Sequence, residues 1–400
     1  MRAKLSGLGP LALLIASSAQ AQDLDGLDTR LELHGFVTQG LVLSIDNAYL
    51  NNPSLEPSFE LTEVGFNSAV ELGDSVNAGL QLFTRRFGDF GDASVQVDWA
   101  YLEYRRLDEL IARAGRIKIP YGLYNTVRDV DSARVSVLLP QSVYPETQRQ
   151  LSNSLDGFLV RGYLDVSEAT ALNYALYVGV FDVVNDFDTI QLDVDLVAGG
   201  NVEFEAPIPG LRVGGSYQFV RSNFEFNADV ADTPVRFDVE EPAHNFGGYA
   251  EYRRDGLVIA AEYHRSWAER DVPSSDTTGF EVPEDANALR EEKYYGAISY
   301  QLTPWLGLGA YYSIFYSDYR DRDGSERNLG FLAHERDLTF SARFDITNYL
   351  YVKLEGHAID GAAGVVLQQF GRQAGVVAPG TFVDLEENWS LFFLRSGVSF

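Results

Sequence analysis

Three observations predict an all-β fold, a transmembrane antiparallel β-barrel of about 16 strands with an inward-folded third loop. Segments of period-two hydrophobicity recur along the chain. The connections between them are alternately tight and long. The last segment, Asn388 to Phe400, stops in mid-strand on an aromatic residue.

The first 21 residues have a different pattern. Arg2 and Lys4 give a charged start, Leu8 to Ala16 a short apolar core, and Ala19-Gln20-Ala21 a small-x-small cleavage site. This is the pattern of a secretory signal peptide, so residues 1–21 are expected to be cleaved and 22–400 to form one domain. No later run of roughly 18 apolar residues occurs, so no membrane-crossing helix is predicted. Hydrophobic residues nevertheless make up 46% of the chain and aromatics 13%, so a lipid-facing surface has to be spread over alternate residues of many strands.

Strands are expected near 31–44, 59–72, 75–87, 94–106, 111–119, 154–165, 168–182, 198–206, 211–226, 243–254, 257–268, 291–302, 305–317, 334–346, 349–360 and 388–400. In the second, Val64, Phe66, Val70 and Leu72 oppose Glu63, Asn67 and Glu71. In the last, Phe392, Leu394, Ser396, Val398 and Phe400 oppose Phe393, Arg395, Gly397 and Ser399. A soluble sandwich alternates in the same way.

The connections separate the two folds. Gly73-Asp74, Leu107 to Leu110, Val166-Ser167, Pro207 to Gly210, Asp255-Gly256, Thr303-Pro304 and Thr347-Asn348 are tight turns. Between them lie 45–58, 120–153, 183–197, 227–242, 269–290, 318–333 and 361–387, with 88–93 as a short exception. A sandwich has no reason to sort its loops by length, whereas a membrane barrel does. Sixteen strands leave an aqueous lumen, and closure removes the sheet edges. Trp267 and Trp389 at loop-side ends, and Trp305 and Tyr349 at turn-side ends, suit interfacial girdles.

Charge and composition exclude other classes. With 58 Asp+Glu against 31 Lys+Arg and a net charge of −27, the chain lacks the basic footprint of a nucleic-acid binder. It has no cysteine, which excludes disulfides, thiol catalysis and thiolate metal sites. No G-x-S-x-G or H-E-x-x-H occurs and the five His are scattered, so no enzyme, cofactor or metal site is expected. Asp186, Asp188, Asp193 and Asp195 fall in one expected loop, Asp238, Glu240 and Glu241 in another, and Asp321-Arg322-Asp323-Gly324 in a third. None completes a calcium-binding loop, and solvated charge, or divalent bridging to lipopolysaccharide, is expected there.

The longest connection, 120–153, follows Gly115-Arg116-Ile117-Lys118-Ile119-Pro120-Tyr121-Gly122-Leu123. Pro120 cannot extend a ladder and Gly122 permits a sharp bend, so the pair is expected to act as the loop's hinge. Val135, Val137, Leu138, Leu139 and Val143 are apolar among charges, which suits a loop packed on the inner wall with its charges toward water. Strand phase places Arg116 and Lys118 in the lumen and Ile117 and Ile119 toward lipid. Arg116, Lys118, Arg128 and Arg134 facing Asp129, Asp131 and Glu146 are the expected pore constriction, where opposed charges set a transverse field. Arg161, Arg212, Arg343, Lys353, Arg395, Glu63, Glu71, Asp98, Glu251, Glu262 and Glu355 have lumen phase as well.

In order and length this loop resembles the constriction loop of general porins, and residues 115–123 resemble the strand-to-loop junction of phosphate-selective-type porins. The resemblance implies sixteen strands, a homotrimer and a pore lined with Arg and Lys, although this chain carries nearly two acidic residues per basic one. Phe400 resembles the terminal signal read by the barrel assembly machinery. The expected function is a water-filled channel in the outer membrane of a Gram-negative bacterium, passing small hydrophilic solutes and ions amid lipid and lipopolysaccharide. A substrate-specific channel for phosphate-like or organic anions, and a non-conducting structural or adhesive barrel, are the alternatives.

Overall fold

The computed structural model describes residues 22–23, 29–49, 56–88, 90–181, 190–230, 233–269, 288–326, 329–365 and 385–400. The expected signal peptide lies outside them. Sixteen strands form the wall: β1 (Thr29–Ile45), β2 (Ser58–Leu72), β3 (Val76–Phe87), β4 (Gln96–Leu107), β5 (Leu110–Lys118), β6 (Ser154–Ser167), β7 (Thr170–Val180) and β8 (Ile190–Glu205). They continue as β9 (Leu211–Val230), β10 (Thr233–Arg254), β11 (Leu257–Glu269), β12 (Glu292–Thr303), β13 (Leu306–Tyr316), β14 (His334–Asp345), β15 (Leu350–Gly361) and β16 (Asn388–Ser399). Two-residue strands at Gln22–Asp23 and Ala288–Leu289 add to β1 and β11.

Each strand pairs antiparallel with its sequence neighbour, and β16 closes on β1 from Ser390↔Ile45 to Ser399↔Phe36. Beyond the last strand residue, Phe400 and Gly35 exchange both backbone hydrogen bonds at 3.0 Å. A Cβ at Gly35 would stand 2.5 Å from the tip of the Phe400 ring, which would have to turn away to admit it. Gly35→Val is therefore expected to loosen the seam, read as a lower temperature for the unheated-to-heated mobility shift on a denaturing gel.

Exposure runs opposite to that of a soluble protein. The outward residues Phe392, Leu394 and Val398 are exposed, whereas the inward Leu391, Phe393 and Arg395 are buried. This is the alternation of a wall between lipid and lumen. Trp267, Trp305 and Tyr349 are exposed as girdle residues should be. Trp389 is not. It points inward, its Nε1 donates to the Gly361 carbonyl at 2.9 Å, and its ring lies 6.2 Å from Tyr49.

Two expected loops are shorter than the sequence suggested. β8 starts at Ile190, and β9 and β10 continue as one ladder to Val230↔Thr233. Asp193, Asp195, Asp238, Glu240 and Glu241 therefore sit on strands, while Asp186 and Asp188 lie outside the described residues. Hydrogen bonding between two extended chains has overridden polar composition here.

Candidate functional site

The connection between β5 and β6 leaves the wall where Pro120 blocks further pairing. Its two ends stay together, with the Ile119 amide donating to the Asn153 carbonyl at 3.0 Å. Gly122 adopts φ +66°, and a Cβ there would come within 2.6 Å of a Glu262 carboxylate oxygen and 2.7 Å of the Tyr144 hydroxyl. Glycine is thus required both for the backbone and for the approach to the wall. Three short 3₁₀ turns, Asn125–Val127, Asp131–Ala133 and Glu146–Leu151, compact the segment.

The segment crosses the whole bore. On one side Arg85 of β3 donates to Glu146 at 3.0 Å, and Arg149 donates to Asp98 of β4 at 2.9 Å. On the opposite wall Tyr144 donates to Glu262 of β11 at 2.5 Å, as does the Leu123 amide at 3.1 Å. β3 and β11 are eight strands apart in a ring of sixteen, hence diametrically opposed. Further anchors lie on both arcs between them, on β9 and β10 one way round and on β13 and β15 the other. The Ser216 hydroxyl of β9 accepts from the Gly122 amide, Tyr124 donates to Glu251 of β10, and Ser142 meets Ser313 of β13. On β15, Glu355 accepts the Val137 and Leu138 amides at 2.7 and 2.9 Å.

Dry contacts reinforce these bonds. Val137 and Leu138 pack with Leu61, Phe87, Leu391 and Phe393, while Leu123, Leu139 and Tyr144 pack with Tyr249, Ala260 and Tyr295. The expected wall contact by the loop's aliphatic residues is thus seen at Val137, Leu138 and Leu139. Its charges, however, do not face water. Arg128, Asp129, Asp131 and Glu146 are all buried, because each is spent on a partner. Arg128 pairs with Glu146 at 3.2 Å. Lys118 reaches Asp98 at 3.1 Å and also Asp129. Asp131 holds Lys353 of β15 at 2.9 Å, Arg134 at 3.4 Å and Arg395 of β16 at 3.8 Å. Arg395 in turn bonds Glu63 and Thr38.

Arg116 stands apart from this group. Its ladder partners are Ala100 and Asp156, next to the pairs Ala114↔Leu102 and Ala114↔Phe158, where Phe158 is 66% exposed. Alternation therefore puts Arg116 on the outer face, paired with Asp156 at 3.0 Å. Ile117 and Ile119, expected toward lipid, are instead buried with Leu155, Leu159, Tyr177 and Val197 on the lumen side. Up to Ile117 the strand's phase is one residue out from its sequence reading, and such a slip exchanges the two faces, whereas Lys118, where the chain leaves the wall, is found beside Asp98 and Asp129 as expected of a lumen residue.

Burial alone would raise the Glu146 carboxyl, but Arg128, Arg85 and Arg149 pull it down to about 2. Burial likewise opposes ionisation of Asp131, and Arg395, Lys353 and Arg134 hold it well below the usual carboxylate range. A carboxyl lowered on folding contributes stability that is complete above its unfolded pKa of about 4 and is lost as pH falls toward the folded value. Protection of the loop amides from hydrogen exchange, corrected for intrinsic rates, should be flat from about pH 8 to 5 and decline below about pH 4. A loss centred near neutrality would show that other groups seat the loop.

Strand patterning did not single out Arg149, Tyr124 or Tyr144 as anchors, nor Tyr121, whose hydroxyl lies 2.9 Å from His264 Nδ1 of β11. The legible signal was compositional, since three tyrosines within one loop exceed what a solvated connection needs. Among the described residues, no group of three or more His, Asp or Glu is placed to hold a metal.

No family model matches this chain, and no curated protein does. Solved structures do match, at the level of fold. The outer-membrane-expressed OmpT of Vibrio cholerae aligns with TM-score 0.57 and 14% identity, over 95% of this chain and 100% of that one. The outer-membrane channel DcaP of Acinetobacter baumannii gives 0.56 and 12% over 93% and 97%. The anion-selective porin of Comamonas acidovorans gives 0.56 and 13% over 93% and 100%. The chain has the sixteen-stranded barrel fold of these outer-membrane proteins.

Proposed function

We propose that the protein is a porin: a passive, water-filled channel for small hydrophilic solutes and ions in the outer membrane of a Gram-negative bacterium. The observation that carries this reading is a closed wall, apolar outside and charged inside, with one loop bonded across its bore. Constriction is the loop's proposed role, with Lys118, Arg128, Asp129, Asp131, Arg134 and Glu146 holding its shape rather than facing the solute. Arg116 is not part of that constriction. No catalytic role is proposed for any residue, and the kinship to phosphate-selective-type porins rests on residues 115–123 alone.

The outer surface supports assembly with further copies. On the loop-side half of the wall, exposed Tyr and Trp are on β9–β13, at Tyr217, Tyr263, Trp267 and Tyr312. Over β1–β6 the exposed tyrosines, Tyr104 and Tyr163, lie toward the tight turns, and the other exposed residues include Val37, Phe66, Leu80, Leu82, Leu102 and Phe158, together with the Arg116–Asp156 pair. An interfacial girdle follows lipid contact, and an ion pair facing hydrocarbon is costly, so this arc suits a protein neighbour in a homotrimer. Removal of residues 1–21, reading of Phe400 by the assembly machinery, and a surround of lipid and lipopolysaccharide belong to the same proposal.

Reconstitution into a planar bilayer tests it. The expected result is stable stepwise conductance in potassium chloride. An electrically silent but correctly folded barrel would leave the structural or adhesive reading in its place.

A further inference from the structure

Two tripeptides in the wall share one pattern. Glu262-Tyr263-His264 on β11 and Glu355-Gly356-His357 on β15 both read Glu-x-His, and strand periodicity turns each Glu and His to the lumen side. These two carboxylates are the ones that receive backbone amides of the crossing loop, Leu123 at Glu262 and Val137 and Leu138 at Glu355. Each also meets the Nε2 of its own histidine, at 2.9 Å on β11 and 3.2 Å on β15. All four side chains are at most 2% exposed. Among the described residues no Lys or Arg lies within ion-pair distance of either carboxylate, and Lys293, the ladder partner of His264, is engaged by Glu291 at 2.7 Å. A carboxylate so deeply buried depends on its donors, and the histidine is the one charge-bearing donor each possesses.

The far ring nitrogens differ. His264 Nδ1 lies 2.9 Å from the hydroxyl of Tyr121, which can donate to it, so one ring N–H suffices and the loop's first residues are tied to the same ring. Gly247 opposite makes room, since a Cβ there would stand 2.6 Å from imidazole atoms. His357 Nδ1 lies 2.9 Å from Asp337 of β14 instead. Glu355 is held in its ionised form by the Val137 and Leu138 amides and the Ser341 hydroxyl. Ionised carboxylates only accept, so bonding Asp337 and Glu355 together requires a proton on both nitrogens. The ring's other neighbours, Tyr311 of β13 and Phe393 of β16, meet it edge-on, and Glu335, two residues along β14, adds no cation.

We infer that His264 and His357 are positioning residues of the constriction. They form two separate latches, each aiming one wall carboxylate at the amides of one part of the loop, and His357 does so as a fixed cation between two carboxylates. This deepens the channel reading and rests on it only for the loop's role in the pore.

Site-resolved hydrogen exchange on the folded protein in detergent tests it without any current. His264→Gln should speed exchange at Leu123 about tenfold or more and leave Val137 and Leu138 unchanged, and His357→Gln should do the reverse. No acceleration, or equal acceleration of both parts by either variant, overturns the two latches. Adding Asp337→Asn to His357→Gln removes the carboxylate that the cation serves, and should return exchange at Val137 and Leu138 most of the way to wild type. A double variant as fast as the single one overturns the cation's role. Nitrogen-15 labelling of the histidine rings gives a second readout on the wild type. At pH 7.5 His357 should show two protonated nitrogens, and a neutral ring overturns its assignment as a cation. The signal is assigned by its loss in His357→Gln or, should that variant not fold, by replacing His34, His244, His264 and His334 with Gln in turn. A barrel that carries no current sinks the channel reading and leaves both latches to be judged by exchange.

Discussion

Deleting residues 124–150 should raise the unit conductance about twofold or more, because a sixteen-stranded wall by itself encloses an aqueous lumen. The ends of the deletion can be joined without strain on the barrel, since Ile119 and Asn153 are already hydrogen-bonded neighbours. The wall should survive the change. Its stability lies in the continuous ladders from β1 to β16 and their closure, none of which uses the loop. The wall partners Asp98, Glu262, Lys353, Glu355 and Arg395 lose their loop contacts, but they would then be hydrated rather than stranded, so the loss costs far less than removal of one partner inside the packed loop. A second consequence separates this account from a loop that merely hangs in the vestibule. Large neutral solutes excluded by the intact channel should enter the deleted one at rates set by the wall. Unchanged conductance, with barrel formation verified by gel mobility, would mean that current flows outside the space the loop occupies.

Much of the architecture was legible because a membrane barrel repeats one simple constraint sixteen times. Each strand must show apolar side chains to lipid and polar ones to water, and each tight turn must be short enough to be recognised by Gly, Pro, Asn or Asp. The inward charges Arg161, Arg212, Lys353, Glu262, Glu355 and Arg395 could all be phased correctly this way. β5 could not. Its nine residues include Ala112, Ala114 and Gly115, which carry little hydrophobic signal, so Arg116 dominated the reading, and it and Ile117 were put on exchanged faces, while Lys118 at the strand's end does reach Asp98 and Asp129 as a lumen residue would. The burial of the loop's charges was hidden for a different reason. Asp131 meets Lys353 and Arg395 across more than two hundred residues of sequence, and no local pattern reports a pairing made by ring closure. The β9–β10 hairpin was under-read because its acidic upper portion looks like solvated loop, whereas edge-to-edge pairing of two long strands keeps it extended.

The sharpest single-residue effect is expected at Asp131. Its side chain is 1% exposed and lies among Lys353, Arg134 and Arg395, while its own carbonyl accepts from Lys353 at 2.7 Å. Asp131→Asn keeps the volume and removes the charge. It leaves three cations packed together with Glu63 as the nearest remaining counter-charge, on Arg395 alone. Breaking a buried pair from one side costs about 3–5 kcal/mol. That corresponds to roughly a hundredfold to several thousandfold greater population of the unseated loop. The damage should be local, because the ladders of β15 and β16 do not depend on this carboxylate. Hydrogen exchange should therefore speed up in residues 123–153 and not in the strands, and single-channel records should show added open-state noise. Adding Lys353→Met tests the cause. If uncompensated positive charge is responsible, the double variant should recover part of the lost protection, giving a coupling of at least about 1 kcal/mol between the two positions. Strictly additive losses would assign the effect to packing and leave the ion pairs without a role in seating the loop.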